Sequence, residues 1–115
     1  MMKTFRLKDL AAEAGGEYVL GSKDLDTHAC YMIHGTLSPR EKGRLVKPGK
    51  GHEEIVVAVR GELKVTGPAL APMKEIVLPE GSAFHVREDA ECFLENVTNK
   101  EALYIAAGGH SGKGH

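Results

Sequence analysis

Apolar and polar positions alternate along this chain in short bursts instead of long periodic stretches. After residue 16 the runs "EYVL", "HACYMIHGTL", "GRLV", "EIVVAVR", "ELKVT", "KEIVL", "AFHV", "CFLENV" and "ALYIAA" are rich in β-branched and apolar types, and turn formers separate them at "SPREKG", "KPGKG", "TGP" and "LPEG". The pattern predicts nine strands in an all-β, antiparallel sandwich or barrel. Ahead of them, "RLKDLAAEAGG" sets Leu7, Leu10, Ala11 and Ala14 at helical spacing and closes on two glycines, which predicts a short N-terminal helix. The run "EIVVAV" is apolar on both faces. One face must meet the barrel interior and the other a second sheet, the helix or a second subunit, so a homodimer is expected.

With 115 residues there is room for one core, and no linker divides it. The expected organisation is a single domain, 1–115: a helical segment over 1–16, a barrel over 17–107, and a flexible Gly/His tail over 108–115 that includes His110 and His115. Fifteen basic and sixteen acidic residues give a net charge of −1 with neither sign in a block, which leaves nucleic acid no electrostatic reason to bind. No apolar run approaches membrane-spanning length and "MMKTFRLKDL" lacks the apolar stretch of a signal peptide, so a soluble cytoplasmic protein without membrane contact is expected. Cys30 and Cys92 are expected as free thiols, and in the absence of tryptophan the core must rest on aliphatic side chains.

From Gly43 onward the chain resembles the cupin family. Its first motif reads roughly G-x5-H-x-H-x3-4-E-x6-G, and Gly43, Glu54 and Gly61 stand at its beginning and end; its second is matched by Pro79 and Gly81 as P-x-G and by Asn96 as the closing asparagine. The resemblance covers about two thirds of the chain and implies an antiparallel β-barrel of jelly-roll type, often dimeric. In cupins that bind a metal, the two histidines of the first motif, its glutamate and one histidine of the second usually hold Mn, Fe, Ni, Zn or a similar ion. Here the first two places fall within residues 47–51, which contain no histidine, and the third is occupied by Cys92. Of the usual ligands only Glu54 remains.

Strand alternation puts His52, Glu54, Val56 and Ala58 on one face. By the resemblance that face looks into the barrel, which would place His52 at the cavity mouth, with Cys92 and His85 approaching from the second motif. Imidazole, carboxylate and thiolate together suit a divalent ion such as Zn or Fe. A rearranged metal set of Glu54, His52, His85 and Cys92 is one reading; the other has Cys92 as a packing residue and His85 as a hydrogen-bonded pocket histidine. His28, Cys30, Met32 and His34 share a face, lining either a sheet surface or, for His34, the cavity. Arg60 and Arg87 suit an acidic ligand or surface ion pairs. Ligand contacts are expected from His52, Glu54, His85, Arg60 and His34, and no catalytic residue is assigned. Three functions stay open: binding of a small polar molecule with or without a divalent metal, a metal-dependent isomerase- or dioxygenase-like enzyme, and a dimeric structural or regulatory module with a filled barrel.

Overall fold

The computed structural model describes residues 2–111. The nine strands of the sequence pattern are all present: β1 Glu17–Leu20, β2 Cys30–Leu37, β3 Arg44–Val46, β4 His52–Arg60, β5 Leu63–Thr66, β6 Glu75–Leu78, β7 Ala83–Arg87, β8 Cys92–Asn96 and β9 Ala102–His110. Two helices precede or interrupt them, α1 Leu7–Glu13 and α2 Ser22–Leu25, together with a 3-10 turn at Pro68–Leu70. The four-residue α2 follows Gly21 and is too short to leave a periodic trace in the sequence.

The strands form two sheets. One has the order β1-β2-β9-β4-β7 and the other β3-β8-β5-β6, and every strand pair is antiparallel. Their inner faces alternate with period two: Val56 and Ala58 on β4, Leu63 and Val65 on β5, Cys92 and Leu94 on β8, Ala102, Tyr104 and Ala106 on β9 are all buried in one core. The β4–β5 connection turns at Gly61, whose φ of 89° is a left-handed value that favours glycine. The motif residues Gly61, Pro79 and Gly81 thus sit in turns at one end of the barrel, where Gly61 N–H donates to Glu80 Oε1 at 2.8 Å and Ser82 N–H to Pro79 O at 3.0 Å.

Strand β9 continues to His110, three residues into the segment expected to be a mobile tail. Gly108 and Gly109 pair with Tyr31 and Cys30 of β2 and with Glu54 and Glu53 of β4, so these glycines are ladder residues chosen for close approach. Residues 112–115, and with them the reading of His115, lie outside the described residues. No described helix is long and apolar enough to cross a membrane.

Candidate functional site

Two rows of side chains cross the inner face of the larger sheet, and each row has the same construction. In the first, Tyr31 on β2 lies flat over Gly108 of β9 and its hydroxyl donates to Glu54 Oε2 on β4 at 2.6 Å. In the second, Tyr104 on β9 lies over Gly35 of β2 and its hydroxyl donates to Glu17 on β1. A tyrosine therefore spans a glycine on the adjacent strand to reach a carboxylate on the strand beyond. Any Cβ at Gly108 or Gly35 would overlap the ring that covers it. The sequence shows the alternation that turns Glu54 inward; the pairing of tyrosines with mid-strand glycines depends on register between distant strands and is visible only in the fold.

Glu54 is 5% exposed, so the expectation that it faces the barrel interior is met. Burial raises its pKa; the Tyr31 hydrogen bond opposes this, the charge of Glu17 adds to it, and His52 acts against it. Only Oε2 is bonded: among the described residues Oε1 has no hydrogen-bond donor and Glu54 forms no ion pair. Tyr31 in turn is held well above the ordinary phenol range, first by burial and then by Glu54, and remains a hydrogen-bond donor at neutral pH.

Around this pair is a cavity of about 350 Å³. Its wall includes Glu54, Tyr31, His52, Ile33 and Val19 from the sheet, Lys47 and Pro48 from the β3–β4 connection, and Ser22, Thr27 and His28 from the segment between β1 and β2. A smaller hollow of about 160 Å³ joins Glu54 to Glu17 and Tyr104 past Ile33 and Ala106. His52 stands at the mouth, edge-on to Tyr31 with ring centroids 5.9 Å apart, and its Nδ1 lies 3.2 Å from Lys50 O. Lys47 is 3.9 Å from Glu91, and Arg44 is shared between Glu41 at 3.0 Å and Glu17 at 3.9 Å, with Nη1 donating to Tyr104 Oη at 3.0 Å. Glu17, Tyr31, Tyr104, Arg44 and Lys47 are the site residues that local sequence patterns did not single out.

The other residues named from the sequence are placed elsewhere. His85 is on the outer face of β7, opposite Ile55, where its Nε2 meets Glu53 Oε1 at 2.6 Å; residues 54 and 85 differ in face because β4 and β7 pair as Ile55↔His85. Arg60 is at the exposed end of β4, 3.6 Å from Glu101, an ion-pair geometry at the surface and away from the cavity. His34 shares its face with Met32 and Thr36, opposite to Tyr31, Ile33 and Gly35; it is buried there with Nδ1 unpartnered, and does not reach the cavity. Cys92 is fully buried in the core, and burial, with the charge of Glu54 behind it, pushes its thiol up to about 11. It is a protonated packing residue.

These placements decide whether the chain's own donors fit a metal. Among the described residues no group of three or more His, Cys, Asp and Glu side chains is close enough to hold an ion. The set Glu54, His52, His85 and Cys92 is divided by the sheet, since His85 lies behind it, and Cys92 would have to surrender a proton it holds firmly. The residues do not fit a resident metal. A carboxylate, a phenol and an imidazole remain, a set suited to hydrogen bonding and ion pairing.

No family model matches the sequence, and no curated protein matches it. Solved structures do. A cupin protein from Bacteroides fragilis superposes with a TM-score of 0.68 at 14% identity, covering 100% of this chain and 86% of that one. An oxalate oxidase in complex with the substrate analogue glycolate gives 0.66 at 22% identity, covering 83% and 51%. A predicted oxalate decarboxylase of Thermotoga maritima gives 0.64 at 17% identity, covering 83% and 81%. The chain spans about half the length of the oxalate oxidase.

Proposed function

We propose that this chain, a jelly-roll β-barrel of cupin fold, binds a small polar molecule in the cavity between its sheets without help from a metal ion. One observation carries the reading. Glu54 is buried, one of its oxygens is fixed by Tyr31, and the other looks into a cavity large enough for a metabolite. A carboxylate left half-satisfied in a low-dielectric site costs stability, and the expense is rational where a ligand supplies the missing donor. His52 at the mouth adds an imidazole that can orient a second polar group. The glycolate bound by the oxalate oxidase is an anion, and that ligand is not carried over to a cavity holding two carboxylates.

Stability and binding should part company at this residue. An acid whose pKa is raised by folding holds more protons in the folded state, so its contribution falls as pH rises from the unfolded value through the folded one, and at neutral pH ionised Glu54 works against folding. Glu54→Gln is therefore expected to unfold at the same or a higher urea concentration than the parent at pH 7 and to retain its advantage only above the carboxylate range. The same variant should bind a cavity ligand more weakly, by about 30-fold or ~2 kcal/mol where a charged donor meets the carboxylate, because the amide replaces an ionised acceptor. Ligand-observed NMR against a mixture of polar metabolites, with EDTA present, checks the second point; a binder equally well held by Glu54→Gln would overturn the reading.

The proposal includes a homodimer built from the outer face of the larger sheet. Ile55, at 55% exposure, lies beside exposed Ala83 and Ala107 and near Met32, with the His85–Glu53 pair at the rim. A second copy related by a two-fold axis covers this self-complementary patch, apolar against apolar. Sedimentation velocity should give a dimer that Ile55→Lys converts to monomer; a monomer in the parent protein would remove the dimer and leave the cavity reading intact.

A further inference from the structure

The charge of the cavity wall names a ligand class. Two inward carboxylates, Glu54 and Glu17, face the connected hollows, and the cations near them are already engaged: Arg44 lies between Glu41 and Glu17, and Lys47 lies beside Glu91. Among the titratable side chains around Glu54, Tyr31 from β2 is a donor to it, Glu17 from β1 repels it, and Cys92 from β8 is a neutral thiol; Tyr104 from β9 lines the smaller hollow and donates to Glu17, Lys47 stands at its edge, His52 from β4 is at the mouth, and Cys30 and His28 line the larger cavity. The interior thus holds an excess of negative charge with one carboxylate oxygen open to the cavity. A neutral hydroxyl would satisfy that oxygen geometrically. Only a cation also relieves the repulsion between the two acids, and the electrostatic gain is larger in this shielded site than in water. Apolar Ile33, Val19 and Pro48 line the larger cavity beside Glu54, so a methylene stem fits along it, and Ser22, Thr27 and His28 offer hydrogen bonds to the far end.

We infer that the cavity takes a small organic amine, its ammonium seated on Glu54 Oε1 and facing Glu17, with a hydroxyl or similar polar group at the far end of a short methylene chain. The inference deepens the proposed function and rests on it. A metal cation is the weaker candidate because the donors needed to complete its coordination are missing.

Three matched probes test it: 3-aminopropan-1-ol, propane-1,3-diol and 3-hydroxypropionate, alike in size and differing in the charge of one end. Each is titrated into the full chain at about pH 8, well above the ordinary carboxylate range, and amide shifts of Tyr31, Glu54 and Gly108 are followed. The amine is expected to bind at least about tenfold more tightly than the diol, and the acid not at all. Glu54→Gln should erase the preference of amine over diol, weakening the amine strongly and the diol slightly. Glu17→Gln should reduce the preference by a smaller factor. Equal binding of amine and diol, or binding of the acid, overturns the amine class and leaves a small-molecule cavity standing. Failure of all three probes to move those amides at millimolar concentration overturns both readings. Urea unfolding of each variant shows that a lost response comes from the lost charge and not from a lost fold.

Discussion

Gly35→Ala is expected to lose about 4 kcal/mol of stability, a large share of what a domain this size possesses. The added methyl would overlap Cζ, Cε1 and the hydroxyl of Tyr104, and Tyr104 has nowhere to go. It is 1% exposed, it donates to Glu17, and it accepts from Arg44 Nη1 at 3.0 Å. Displacing the ring gives up an aromatic burial and leaves a carboxylate and a guanidinium without the phenol between them. The cost therefore resembles deletion of a buried aromatic more than the usual 1–3 kcal/mol of overpacking. A double-mutant cycle isolates the cause: Gly35→Ala combined with Tyr104→Ala should cost little more than Tyr104→Ala alone, since the clash disappears with the ring. Unfolding of Gly35→Ala in urea within about 1 kcal/mol of the parent would show that the Tyr104 ring does not depend on the space above Gly35.

The second large effect belongs to Asn96, the residue matched to the closing asparagine of the second motif. Its amide is fully buried and knits three segments: Nδ2 donates to Leu37 O at 3.1 Å, Ser38 O at 3.0 Å and Lys100 O at 2.7 Å, while Oδ1 accepts from Thr98 N at 2.9 Å and Thr98 Oγ1 at 2.8 Å. Asn96→Asp keeps the shape and reverses half the chemistry, setting a carboxylate oxygen against three carbonyl oxygens. At pH 7 the expected loss is about 4 kcal/mol, because the new acid must either bury an unsupported charge or take up a proton. The sign in pH follows. The folded form holds the proton more tightly than the unfolded one, so the deficit should shrink toward about pH 4 and grow as pH rises above the ordinary aspartate value. Asn96→Ala should lose about 3 kcal/mol with no such pH dependence. Equal deficits for Asn96→Asp at acid and neutral pH would show that the amide does not donate to those carbonyls.

The strand pattern was written in the sequence because each strand buries one face and pays for turns with glycine and proline. Strong alternation around Val56, Val65 and Leu94 and clear breaks at "KPGKG" and "LPEG" left little freedom to the secondary structure. Glu54 was legible for the same reason, being a charged residue in phase with Val56 and Ala58. What period two cannot tell is which strands lie side by side. The exclusion of His85 follows from the Ile55↔His85 register, and the Tyr31–Gly108–Glu54 and Tyr104–Gly35–Glu17 rows join residues more than 20 or 60 positions apart. Gly108 did carry a signal, a glycine directly after "LYIAA", but composition alone reads two adjacent glycines as flexibility whereas the ladder uses them as space for a ring. His34 shows the opposite error: a face of chemically capable side chains turned toward the outside of the sheet.

Strand β1 is the edge of its sheet and pairs with β2 alone, and the turn that follows it, tied by the Tyr18 hydroxyl to Asp24 at 3.0 Å, forms one lip of the cavity. The deep end of the site is instead anchored on the central strands β9 and β4. Under the proposed binding, residence time and affinity would fall to different parts of the chain: peeling back the lip would govern how fast an occupant departs, whereas Glu54 and its neighbours on the central strands would govern how tightly it sits.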